Sequence, residues 1–61
     1  MSYVEIVLNT DNAAFQEGGF EFEMGGILAQ VEQAVKDALP FARLRDSNGN
    51  RVGFYAIQEE V

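Results

Sequence analysis

A chain of 61 residues holds one domain and buries only about 60% of its unfolded surface, a marginal core usually supplemented by disulfides, a metal or self-association. Cysteine and histidine are both absent, which excludes disulfides and thiolate sites and removes the commonest zinc and iron ligand. With 48% apolar residues and a net charge of −6, a homo-oligomer is the expected supplement, and direct binding to nucleic-acid phosphates or an anionic membrane surface is disfavoured.

The charge is unevenly spread. Residues 1–35 carry Glu5, Asp11, Glu17, Glu21, Glu23 and Glu32 and no base. Residues 36–51 carry Lys36, Arg43, Arg45 and Arg51 against Asp37 and Asp46, a net of +2. The chain is thus an acidic unit followed by a locally basic one. No apolar run approaches the roughly 20 residues that span a bilayer. The start of the chain lacks a basic segment followed by an apolar one, so the expected location is cytoplasmic.

Ser2 to Leu8 alternates as a strand, with Val4, Ile6 and Leu8 on a core face and Tyr3, Glu5 and Val7 on the other. Asn9 to Asn12 favour turns, and Asp11 or Asn12 is placed to cap a short helical turn through Ala13, Ala14 and Phe15. Phe15 is expected to plug one end of the core. Gln16 to Gly19 reads as a flexible break.

From Phe20 a helical period begins. Phe20, Met24, Ile27, Leu28, Val31, Val35 and Leu39 share one side, while Glu21, Glu23, Gln30, Glu32, Gln33 and Asp37 face away. Gly25-Gly26 is its weak point, because each interior glycine costs about 1 kcal/mol relative to alanine. The glycines favour a late start near Met24 or Ile27, or leave room for another chain. Phe20 to Glu23 also alternates as a short strand would. Pro40 is expected to close the helix.

Two strands follow, Phe41 to Arg45 and Val52 to Gln58, joined by turn formers. Asn48-Gly49 can supply positive-φ residues, and Asp46 and Ser47 can bond nearby amides. Ala42, Leu44, Tyr55 and Ile57 are assigned to the core, with Gly53 a bulge or close-packing position. Phe41, Phe54 and Ala56, with Tyr3 and Val7, then form a second apolar surface, expected to be an interface. The fold class is α+β: a small β-α-β-β domain with a three-stranded sheet and one amphipathic helix on one face. The third strand can lie between the other two, and the crossover is right-handed if the first two strands are parallel.

Catalysis is not expected. Glu21/Glu23 and Glu59/Glu60 are paired carboxylates, read as solvated. Asp46, Asn48 and Asn50 open like a calcium loop, but Arg51 stands where that loop needs glycine and Ile57 where it needs glutamate, so no metal or other cofactor is expected. Arg43, Arg45 and Arg51 could hold a phosphate or carboxylate through paired hydrogen bonds, with Tyr55 as a further ligand contact and Tyr3, Phe54 and Tyr55 available to stack on a base. The competing reading pairs these arginines with Glu5, Glu17 or Glu59.

The segments Thr10-Asp11-Asn12-Ala13-Ala14-Phe15 and Leu44-Arg45-Asp46-Ser47-Asn48-Gly49-Asn50-Arg51-Val52-Gly53 resemble a group of short bacteriophage and prophage proteins. Those proteins share a strand, a TDNAAF segment, an amphipathic helix and a terminal LRDxNGNxVG hairpin. The resemblance covers nearly the whole chain, which departs from it in its Gly-Gly pairs and in apolar Phe54 and Ala56. It implies a phage setting and no particular chemistry. The expectation is a non-enzymatic binding protein that antagonises a host defence or regulatory component, in one version by sequestering a nucleotide-like anionic ligand at an oligomer interface. The alternatives are an acidic inhibitor of a host protein, a DNA mimic, or an accessory virion protein.

Overall fold

A computed structural model describes residues 1–59. The elements are β1 (Ser2–Leu8), α1 (Ala13–Glu17), α2 (Phe20–Lys36), β2 (Phe41–Arg45) and β3 (Arg51–Glu59). The three strands form one sheet in the order β1-β3-β2. Both outer strands run antiparallel to β3, so β1 and β2 are parallel to each other and the two helices form the connection between them. This is the α+β arrangement that the periodicities imply.

Register fixes the faces. Val4 lies opposite Ile57, Ile6 opposite Tyr55 and Leu8 opposite Gly53, while Ala42 lies opposite Tyr55 and Leu44 opposite Gly53. These residues share the sheet face on which α2 packs, but Val4, Ile6 and Ile57, assigned to the core by alternation, stay exposed because α2 lies towards β2 and leaves the β1 side of that face open. The register then steps to Arg45 opposite Arg51, leaving Val52 as an extra residue on β3. The bulge turns Val52 into the core, although plain alternation would place it beside Phe54. Gly53 next to it is a close-packing position. A Cβ there would overlap the Val7 carbonyl oxygen.

The core comprises Phe15, Ile27, Ala34, Leu44, Val52 and Tyr55, with Leu8, Met24, Val31 and Ala42 packed against it. Phe15 plugs the core as expected, supported by the short helix α1. The long helix departs from expectation in three ways. First, α2 is continuous from Phe20 through Gly25-Gly26, neither starting late nor opening as a strand, because Glu21 and Glu23 in its first turn suit the dipole and Glu23 is anchored from outside. Second, it ends at Lys36 rather than at Pro40. Leu39 N–H donates to Ala34 O and Ala38 N–H to Val35 O, each at 3.0 Å, and Ala38 takes φ 57°. That bonding is the Schellman closure, with alanine in the left-handed position that glycine usually fills.

Third, α2 is rotated about its axis relative to the apolar stripe. Glu23 is buried and Gln30 half-buried, whereas Phe20, Leu28 and Val35 are exposed. The apolar stripe assigns Glu23 and Gln30 to the solvent side. Their hydrogen bonds to the hairpin pull that flank inward, and the Leu28/Val35 flank swings out on the side away from β2.

Candidate functional site

The hairpin head between β2 and β3 is held by two carboxylates. Asp46 Oδ1 accepts from the N–H groups of Asn48 and Asn50, both at 2.9 Å. Asp46 Oδ2 accepts from Asn12 Nδ2 at 2.7 Å. Gly49 N–H donates to Asp46 O at 3.0 Å and Asp46 N–H to Asn50 O at 2.9 Å. The loop is therefore longer than a two-residue turn, and only Gly49 of the Asn48-Gly49 pair has positive φ, at 83°. Asp46 is buried, and three N–H donors engage its oxygens.

The second carboxylate is Glu23, only 3% exposed. Its Oε1 accepts from Ser47 N–H at 2.9 Å and its Oε2 from Ser47 Oγ at 2.6 Å. The pairing of Glu23 with Glu21 as a solvated helix start is thereby corrected. Glu21 is exposed, Glu23 is not, and Glu60 of the other carboxylate pair lies outside the described residues. No periodicity could reveal Glu23, since a glutamate on an apolar flank is recognised only through its partner.

The arginine cluster is only partly assembled. Arg45 and Arg51 face each other across the hairpin, and Arg45 Nη1 donates to Gly49 O at 2.9 Å. Arg43 lies over the Phe41 ring, with its guanidinium carbon 5.8 Å from the centroid. Among the described residues no arginine is ion-paired to a carboxylate; Lys36 and Glu32 form an ion pair at 3.4 Å, and Glu5 accepts from Gln58 Nε2. Tyr55 does not join the arginines. It is 1% exposed, faces α2 and donates from its hydroxyl to Leu39 O at 3.2 Å. Its place on the core face, foreseen for packing, removes it as a ligand contact and as a base-stacking ring.

The other sheet face carries Tyr3, Val7, Phe41 and Phe54, as alternation places them. Among the described residues no helix covers it, because α1 and α2 both pack on the opposite side. Phe41 and Phe54 stack with centroids 5.9 Å apart and planes 20° from parallel. Tyr3, Val7 and Phe41 are exposed and Phe54 half-buried. Ala56 is on this face by register, between Glu5 and Phe41, but is buried. It is too short to emerge between longer neighbours, so it offers no contact area.

A cleft of about 160 Å³ opens where α2 meets the hairpin, lined by Phe22, Glu23, Gly26, Arg45 and Ser47. A Cβ at Gly26 would meet nothing within 4 Å, so the glycine leaves the cleft wide. Phe22 and Gly26 give it an apolar wall and Arg45 a cationic rim. Glu23 already spends both oxygens on Ser47. Comparisons with protein-family models, with curated proteins and with solved structures give no match to this chain.

Proposed function

We propose that this chain is a phage-encoded, non-enzymatic binding domain that works as a homo-oligomer and antagonises a host protein by direct contact. The observation that carries the reading is the uncovered sheet face bearing Tyr3, Val7, the stacked Phe41–Phe54 pair and Arg43. Aromatic residues and arginine are the types enriched in the energetic centres of protein interfaces. The phage setting rests on the two motifs that resemble phage proteins. These motifs meet in space through Asn12 and Asp46.

The test is retention of a host protein from a lysate, followed by binding of the two purified components. Phe41→Ser with Phe54→Ser should abolish binding while far-UV circular dichroism is unchanged. Equal binding by the variant would remove this face from the reading.

A nucleotide-binding version retains one supporting observation, the facing pair Arg45 and Arg51. It predicts a thermal shift with cyclic or ADP-ribose-type nucleotides that vanishes in Arg45→Ala with Arg51→Ala. No shift across such a panel would sink it.

A further inference from the structure

The two edges of the sheet are finished differently. Along β2, Arg45 opposes Arg51 with its own N–H and C=O turned outward. Gln30 meets both groups: Arg45 N–H donates to Gln30 Oε1 at 3.0 Å, and Gln30 Nε2 donates to Arg45 O at 2.7 Å. The side-chain amide thus occupies the place of a further strand. Pro40 precedes β2, and Arg43 and Arg45 charge it. These are the ordinary devices that protect a sheet edge.

Along β1 such devices are missing among the described residues. It has seven residues, no proline and one charge, Glu5. Asn9 N–H donates to Val52 O at 2.7 Å, and the register is unbroken from there to Ser2. By the alternation of an antiparallel ladder, Ser2, Val4, Ile6 and Leu8 therefore point their backbone N–H and C=O outward. No hydrogen bond among the described residues covers these groups from the edge side.

The same edge borders an exposed apolar part of the helix-facing side. The rotation of α2 leaves Leu28 and Val35 exposed on its flank away from β2. Val4 at 58% exposure, Ile6 and Ile57 lie on the helix-facing side of the sheet, and among the described residues no helix covers them. The chain exposes 4334 Å², against about 4,000 Å² for a compact monomer of its mass. Its radius of gyration is 12.3 Å, against about 10.5 Å for a compact chain of this length.

We infer that the β1 edge is a docking site for a second copy of this chain, whose own β1 pairs with it antiparallel to give a continuous six-stranded sheet. The inference rests on the homo-oligomer named above and says which surface builds it. A two-fold axis across the edge puts the Val4/Ile6 rows of both copies on one face. It also puts both helices on that same face, with Leu28 and Val35 of each on the flank turned towards the shared floor. Self-pairing suits the strand because its outward amides and its apolar row repeat in both copies. A register centred on Val4 or Ile6 keeps the two Glu5 side chains from lying directly opposite, where like charges destabilise. The outer face with Phe41 and Phe54 stays open on both copies.

The experiment uses synthetic chains and sedimentation equilibrium at micromolar concentration. N-methylation of Ile6 removes one outward donor and leaves every β1–β3 hydrogen bond intact. The wild type should run at twice the 6.8 kDa chain mass, and the N-methylated chain should run as a folded monomer by circular dichroism. Phe41→Ser with Phe54→Ser should remain dimeric. If the N-methylated chain loses its fold, single cysteines decide. Val4→Cys or Ile6→Cys should cross-link under mild oxidation, and Phe41→Cys should not. A dimer that survives N-methylation, or that cross-links only at Phe41, overturns the β1 edge and leaves the homo-oligomer standing. A monomeric wild type overturns both.

Discussion

Asn12 and Asp46 stand 34 positions apart and are joined by a 2.7 Å hydrogen bond from Asn12 Nδ2 to Asp46 Oδ2. Asn12 occupies the N-cap position of α1 but makes no side-chain cap bond there; its amide reaches the hairpin instead. The bond ties the loop after β1 to the turn before β3. Asp46→Ala strands three N–H donors and is expected to cost about 2–3 kcal/mol, and Asn12→Ala about 1 kcal/mol. Urea denaturation of both single variants and the double variant measures the coupling. Strictly additive losses would show that the two side chains do not act together.

Glu23 does for the helix what Asp46 does for the turn. Both of its oxygens engage Ser47 in a buried setting. Glu23→Ala should destabilise by about 2–3 kcal/mol, since it leaves a backbone amide and a hydroxyl without their charged acceptor. Ser47→Ala removes one of the two bonds and should cost about half as much. Thermal unfolding distinguishes them, and a Glu23→Ala chain as stable as wild type would mean that water replaces the carboxylate.

The glycines divide by what a methyl group would meet. At Gly26 it meets open space, so Gly26→Ala should stabilise α2 by about 1 kcal/mol. At Gly53 it runs into the Val7 carbonyl, so Gly53→Ala must push β1 from β3 and should cost about 3 kcal/mol or more. Denaturant midpoints of the two variants should move in opposite directions. A tolerated Gly53→Ala would mean that the strands separate easily.

Much of this fold is legible in the chain because its signals are local. Alternation places Val4, Ile6, Leu8, Leu44 and Tyr55 on one face, and the turn formers mark the hairpin. What alternation cannot see is set by long-range polar contacts. The rotation of α2 follows from Glu23 reaching Ser47 and Gln30 reaching Arg45, partners 24 and 15 positions away. A helical wheel assigns both side chains to water. The bulge at Val52 likewise breaks the period that would have placed it, whereas Tyr55, four positions after Arg51, lies on the core face that alternation gives it and so away from the arginines. The candidate site was therefore legible as a surface of Tyr3, Val7, Phe41 and Phe54, and not as a constellation of arginines with a tyrosine.

Ala38 closes α2 in the left-handed region at φ 57°, a conformation that costs an L-residue with a Cβ about 1–2 kcal/mol. Glycine removes that cost but has more freedom to lose on folding. The net expectation for Ala38→Gly is a gain of about 0.5–1 kcal/mol, read as a higher thermal midpoint. A loss would indicate that the methyl group makes a contact worth more than the strain.

The charge of the chain separates the two kinds of association proposed for it. Each copy carries −6, and two such bodies about 20 Å apart repel by several kcal/mol at about 0.01 M salt but by under about 1 kcal/mol at about 0.15 M. The paired β1 edges contribute one glutamate each, so the attraction at that contact is apolar and hydrogen-bonded and is little affected by screening. Added sodium chloride should therefore tighten the dimer by about tenfold or more over that range. A host protein recognised through complementary charge should instead bind more weakly as salt rises. Sedimentation equilibrium across a salt series measures the first trend, and titration calorimetry with the purified partner measures the second. A dimer that loosens with salt would place opposite charges in the contact, which the β1 edge does not possess.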